Sequence, residues 1–292
     1  VFYHPDDTRF TRLKGMQATT PIFNKHVPII ADVLVDPAKG TGLVMCCTFG
    51  DQTDIDWFKK HALPFVHVVG YDGTWTEAAG PLAGLRASDA RKKILELLAT
   101  AGALSAQKNI THAVSVHERC KQEIEYLILT QWFIKVIEHK QKFLDLAEKN
   151  TWKPAFMQAR YRDWVTNLKW DWCISRQRFF GIPFPVWHCT QCSEVLTANP
   201  QDLPIDPQEQ AYPGKACTSC GSTDLKPDTD VMDTWNTSSL TPQINTKWPS
   251  APDAAGMPKI PMSMRPQAHD IIRTWAFYTI IKAAYHNQTI PW

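Results

Sequence analysis

Val27-Pro28-Ile29-Ile30-Ala31-Asp32 and, a loop later, Gly42-Leu43-Val44-Met45-Cys46-Cys47 are short apolar runs bounded by Gly, Pro and Asp. Runs of that length and framing predict buried strands. Gly50-Asp51-Gln52-Thr53-Asp54 follows and leads into a predicted short helix over 54–61. A further strand is predicted over 65–70, ending at the turn Tyr71-Asp72-Gly73. Strand, helix and strand in close succession predict an α/β fold for residues 1–115. The next helix spans 88–98, with Ser88 as N-cap and Gly102 just past its end. Residues 115–170 read as strand and then helices. One helix is the amphipathic stretch Ile134 to Glu148, and the other runs from Ala155 to Leu168 with Pro154 at its start. Turn formers dominate 189–227, Pro and Ser mark a loop over 248–261, and a last helix is predicted over 271–285.

The 292 residues exceed the usual reach of one hydrophobic core, so two domains are expected. The net charge is only +2, less than a protein that simply coats nucleic acid carries. Any RNA contact must then rest on local patches. No run of about 18 apolar residues occurs, and the N-terminus lacks a signal-peptide pattern. Eight cysteines are too few for a disulfide scaffold, and four of them stand in metal spacing, which fits a reducing cytoplasm. The Asn-x-Ser/Thr triplets at Asn109, Asn236 and Asn287 then read as coincidence.

Four constellations carry possible chemistry. Cys189-Thr190-Gln191-Cys192 and Cys217-Thr218-Ser219-Cys220 are two Cys-x-x-Cys turns, each of which presents two thiolates to one point. Tetrahedral Zn2+ is the expected occupant, in a closed and therefore structural site. His188 is the alternative fourth ligand. His117 and Cys120 have half-site spacing without a partner pair, and a structural role is expected for them. Asp51 and Asp54 share one face at a helix N-terminus, where they either cap the helix or grip an ammonium group and orient a water. Trp235 and Trp275 are either two core tryptophans or an aromatic pair that sandwiches an aliphatic side chain. Asp270 either caps a helix or holds a cationic amine near Trp275. Arg176, Gln177 and Arg178 either meet phosphate or form a solvated edge.

In this order along the chain, the pieces resemble the class I aminoacyl-tRNA synthetases. Within them the resemblance is to the branch for valine, isoleucine and leucine. The first half is similar to the editing-domain pattern in Val1 to Asp7, Val27 to Asp32, Val35 to Gly42, and Asp51 with Asp54. Gln131-Trp132-Phe133 resembles the strand that leaves that domain, and Asp171 to Trp187 resembles the return into the catalytic fold. Asp233-Thr234-Trp235 with Ser238-Ser239 favours the valine-specific pattern.

The resemblance implies an α/β-barrel-like editing domain over 1–133, a return segment over 134–188 and a zinc knuckle over 189–227. The second half of a Rossmann-like catalytic domain would fill 228–292. It implies that Trp235 and Trp275 flank the valine side chain and that Asp270 lies close to the amino acid or its adenylate. It further implies that Asp54 anchors the α-amino group of a mischarged residue, with Asp51 beside it positioning the terminal adenosine or a water. Met45, Cys47 and Thr48 would lie in the editing pocket. The implied partners are tRNA(Val), valine and ATP with Mg2+, together with the remaining parts of the same synthetase, in the cytoplasm and away from membranes.

The sequence also departs from the family pattern. Met45 stands where Lys is common and Cys47 where Thr is common, with Thr48 one place off. Asn236 replaces a usual Phe, and His269 and Arg273 also differ. The family's His-Ile-Gly-His-like, Lys-Met-Ser-Lys-Ser-like and Thr-Thr-Arg-Pro-Glu-like motifs do not occur in these residues. The chain therefore reads as an internal fragment that does not activate valine alone, which ATP–pyrophosphate exchange checks. The competing readings are an isoleucine or leucine enzyme segment, and a non-catalytic zinc-bearing RNA-binding module derived from a synthetase.

Overall fold

Phe2 and Tyr3 form the middle strand of a three-stranded sheet, with Ile30–Ala31 parallel on one side and Leu43–Val44 antiparallel on the other. The computed structural model describes residues 1–47, 49–109, 111, 113–250, 256 and 258–292. The chain divides into two compact units, Val1–Leu129 and Thr130–Trp292.

In the first unit, the run from Val27 to Ala31 is not one strand. His26–Pro28 pairs antiparallel with Gln17–Thr19, and Ile30–Ala31 pairs with Phe2–Tyr3. Pro28 has no N–H with which to continue a ladder, and the chain changes partners at Ile29. These strands are only partly buried; the buried strand is Phe2–Tyr3. The Gln52–His61 helix lays Trp57 flat on Phe2, with ring centroids 4.4 Å apart. Val35, Ile30, Val44 and Leu63 close that core. Each fully buried large apolar side chain contributes about 1.5–3 kcal/mol.

The strand predicted over 65–70 does not form. Among the described residues no strand lies beside the exposed Phe65 and Val66, and pairing starts only with the Thr76 N–H to Val68 carbonyl bond and the bridge between Val69 and Trp75. The turn after it does form, with the Gly70 N–H donating to the Thr74 carbonyl and Gly73 at φ +77°. The next helix runs Ala87–Thr100, so Ser88 lies inside its first turn and Arg86 occupies the cap position without a side-chain bond. Gly102, at φ +66°, follows its end as predicted. Among the described residues no barrel closes. The strands of this unit are two or three residues long, and the described residues of 103–129 contribute only the bridge between Val116 and Glu123.

In the second unit, three helices, Lys140–Glu148, Met157–Asn167 and Phe277–His286, pack around Phe143, Tyr161, Val165, Trp172, Phe277, Ile280 and Ile281. The helix predicted from Ile134 begins later. Phe133–Ile134 pairs with Trp172–Cys173, and Asp171 Oδ1 accepts the N–H groups of Val136 (2.8 Å) and Ile137 (2.9 Å). Those two bonds hold the Asp171 carboxyl below the ordinary carboxylate range. The helix predicted from Ile271 is three pieces: a 3-10 turn His269–Ile271, a π turn Ile272–Ala276 and the α-helix Phe277–His286. The cysteine-rich stretch is more regular than its turn-rich composition predicts. Val186–Cys189 lies between Val195–Thr197 and Leu225–Pro227 in an antiparallel sheet. The described residues of the 248–261 loop lie outside any helix or strand; 251–255 and 257 fall outside the described residues. Among the described residues, no helix is long and apolar enough to cross a membrane.

Candidate functional site

Asp51 begins the Gln52–His61 helix with extended backbone, and its Oδ1 accepts the Asp54 N–H at 2.9 Å. The capping role read from spacing is therefore met through one oxygen. Asp54 is 8% exposed. A Cβ at Gly50 would lie 2.5 Å from Asp54 Oδ2, so only glycine leaves room for that carboxylate. Burial pushes the Asp54 carboxyl above its ordinary range and the Asp51 charge pushes the same way. The Cys46 thiol and the N–H groups of Cys47 and Gly50 pull against both. A cation placed here would restore ionisation, and a bound water could pass its proton here. Cys47 lies in the same field, its thiol raised by burial, then by Asp54 and Asp51. Met45 is exposed, and Thr48 lies outside the described residues.

In the second unit, the four thiols of Cys189, Cys192, Cys217 and Cys220 lie within 4.8 Å of one another. Cys189 Sγ is 3.5 Å from Cys220 Sγ, and Cys192 Sγ is 3.6 Å from Cys217 Sγ. Tetrahedral zinc with bonds of about 2.3 Å sets its sulfurs about 3.8 Å apart, so the donor set fits. The thiols cannot all ionise without a cation. The Cys192 N–H leads the effects that hold the Cys189 thiol down to about 7. Cys192 is pushed up to about 12: the Glu194 N–H lowers it, but Cys220, burial, Cys217 and Cys189 outweigh that. His188 does not join the set. Its Nε2 lies 3.1 Å from Asp228 Oδ2, which also accepts Trp132 Nε1 at 2.9 Å. His117 Nδ1 and Cys120 Sγ are 3.1 Å apart on the surface of the first unit. Among the described residues they gather no third ligand.

Trp235 sits on the short helix Thr234–Ser238 and is 37% exposed, whereas Trp275 is 6% exposed in the π turn. Among the described residues, Trp275 meets the Trp292 ring at 5.5 Å and the Arg265 guanidinium at 3.8 Å. Trp235 is not among its ring partners. Asp270 is exposed in the 3-10 turn and caps nothing. The Arg176–Arg178 run divides. Arg176 turns inward to Asp233 (3.4 Å) and to the Ser175 carbonyl (2.7 Å), and Gln177 Nε2 donates to Asp230 Oδ2 at 2.8 Å. Arg178 faces solvent.

Several polar residues escaped the sequence reading. Asp32 is buried and takes Lys60 Nζ at 2.8 Å and His61 Nε2 at 2.7 Å on one oxygen. Ser175 donates to Gln131 Oε1 (2.7 Å) and accepts the Trp132 N–H (2.8 Å), tying the strand at 133 to the return segment. Among the described residues, Asp233 Oδ2 and Asn236 Oδ1 are buried without a hydrogen-bond partner. Asn236 stands where the pattern the sequence resembles has Phe, and that difference was the signal the sequence offered.

The family model described as "tRNA synthetases class I (I, L, M and V)" matches residues 31–292. Over the whole chain, the sequence is 49% identical to the valine--tRNA ligase of Thermoplasma acidophilum and 46% identical to that of Rickettsia conorii, covering 36% of each. It is 44% identical to the valine--tRNA ligase of Methanopyrus kandleri, covering 32% of it. The chain thus spans about a third of the length of the curated relatives it matches.

Proposed function

The chain belongs to the class I tRNA synthetases, and from that membership we propose that it is the editing segment and part of the synthetic site of a valine--tRNA ligase. The full enzyme joins valine to tRNA(Val) using ATP and Mg2+, in the cytoplasm. Residues 1–133 form the editing domain, 134–188 the return segment, 189–227 the zinc knuckle and 228–292 the second half of a Rossmann-like catalytic domain. The observation that carries this reading is the match of all 292 residues to valine--tRNA ligases.

Two sites are needed because valine and threonine are nearly isosteric. Rejection of an added hydroxyl by an apolar pocket reaches only about a hundredfold, a figure taken from the valine-specific enzymes themselves. In the synthetic site, Trp235 and Trp275 bound the aliphatic side chain, which requires Arg265 to leave the Trp275 face. Asp270 lies by the amino acid or adenylate. In the editing site, the Asp54 carboxylate holds the ammonium of a mischarged threonyl ester. Asp51 uses its oxygen not engaged in the cap to position the terminal adenosine or a water. Met45, Cys47 and Thr48 line that pocket. Cys189, Cys192, Cys217 and Cys220 hold a structural Zn2+. With four protein ligands the ion has no open position, so its contribution is to fix the fold of a stretch with little core of its own.

Replacing Asp54 by Ala in the full-length enzyme should cost the editing transition state about 2–4 kcal/mol. Threonyl-tRNA(Val) should then accumulate during charging with threonine. Unchanged proofreading by that variant would remove Asp54 from the reaction.

A further inference from the structure

Phe179 is 91% exposed and Phe180 84%, side by side and edge to face, with centroids 5.0 Å apart at 83°. The two adjoining rings form one exposed apolar patch, and contiguous exposed apolar surface marks interaction sites. The loop beneath them is pinned at both ends. Before the rings, Gln177 is bonded to Asp230 and Arg176 to Asp233. After them, the Met232 N–H donates to the Ile182 carbonyl at 2.7 Å and Pro183 bridges to Val231. Gly181 lies so close to Val231 that a Cβ there would stand 2.5 Å from its Cγ2. The two rings are therefore carried outward by a fixed backbone. Arg178, the one exposed cation of the run, adjoins them and makes no ion pair among the described residues.

We propose that Phe179 and Phe180 stack on unpaired nucleotides of the bound RNA while Arg178 meets the adjoining phosphate. Two rings at right angles present one face and one edge, which suits a splayed base better than a broad apolar partner. Sequence-tolerant stacking plus a nearby cation is the general chemistry of single-stranded RNA contact. This inference rests on the tRNA reading above and names the protein surface that would grip its unpaired 3′ end.

The test uses the full-length enzyme and an acceptor-stem minihelix of tRNA(Val) with 2-aminopurine in the unpaired 3′ tail. Fluorescence should be quenched on binding. Phe179→Leu and Phe180→Leu keep apolar bulk but remove the π face; they should abolish the quench and weaken binding about tenfold or more. Arg178→Gln should reduce the salt slope of binding by about one. A minihelix lacking the tail should bind the wild type and the leucine variants equally. Equal quench and affinity across wild type and leucine variants would overturn the platform, as would no binding by the wild type. So would leucine variants that change self-association but not RNA affinity. Hydrolysis of threonyl esters is a separate readout, so a platform that fails leaves the editing reading standing, and the reverse also holds.

Discussion

Asp54 is a nearly buried carboxylate with no cation beside it among the described residues, and its bonds from the Cys46 thiol and the Cys47 and Gly50 N–H groups do not offset its burial. Its carboxyl is raised by burial and then by Asp51, so the folded state binds its proton more tightly than the unfolded state does. Such a group stabilises the fold at pH below its ordinary value of 3.8, and that contribution is lost as pH rises through the folded value. Asp54→Asn should therefore raise the melting temperature at pH 7, and the gain should vanish below about pH 3.8; a loss at pH 7 would mean that the carboxylate is paired. Asp32 has the opposite sign. Burial raises it, but Lys60, the Leu34 N–H and His61 outweigh that and hold it well below 3.8. Its contribution is present above 3.8 and fades as pH falls through the lowered folded value. Asp32→Asn should cost about 1–3 kcal/mol at pH 7 in denaturant unfolding, with the cost shrinking in acid. The three-residue spacing made the Asp51 cap legible. The ion pairs of Asp32 join residues 28 and 29 positions apart, which no local pattern encodes. Burial of Asn236 is equally invisible, because an Asn on a short helix normally faces water.

The helix with the clearest periodicity, 88–98, lies within the observed Ala87–Thr100, where Ala90 is buried and Ile94 and Leu97 pack partly buried on the same cluster. The failed strand at 65–70 had the right composition, but a strand needs a neighbour, and among the described residues none lies beside Phe65 and Val66. The late start of the 140–148 helix has a similar cause: Asp171 caps Val136 and Ile137 from across the fold. The cysteine module was legible because ligand spacing is a geometric requirement. It should bind one Zn2+ per chain, measured by elemental analysis. Cys217→Ser should release the ion and open residues 186–227 to proteolysis, and affinity should fall as thiolates are protonated in acid. A wild-type chain that is metal-free yet protease-resistant over 186–227 would contradict this. Gly181→Ala should force a methyl into Val231 and lower stability by about 1–3 kcal/mol in denaturant unfolding. No loss would mean that the loop is less firmly held than its bonds indicate.

Across the whole chain, 31 Lys and Arg stand against 29 Asp and Glu. So balanced a charge gives little long-range attraction for RNA, and recognition falls to fixed local groups. Family membership was legible from the order of motifs rather than from any single one, because each has a plain structural use. Asp51 caps a helix and Trp275 is buried, and neither fact alone points to a substrate. No Pro- or Gly-rich linker marks the division after Leu129; only the resemblance at Gln131-Trp132-Phe133, with its boundary at 133, pointed near it. The most direct test incubates threonyl-tRNA(Val) and valyl-tRNA(Val) separately with the full-length enzyme and follows loss of each ester. Rapid hydrolysis of the threonyl ester with the valyl ester spared is the expected result. Equal persistence of both esters would contradict the account.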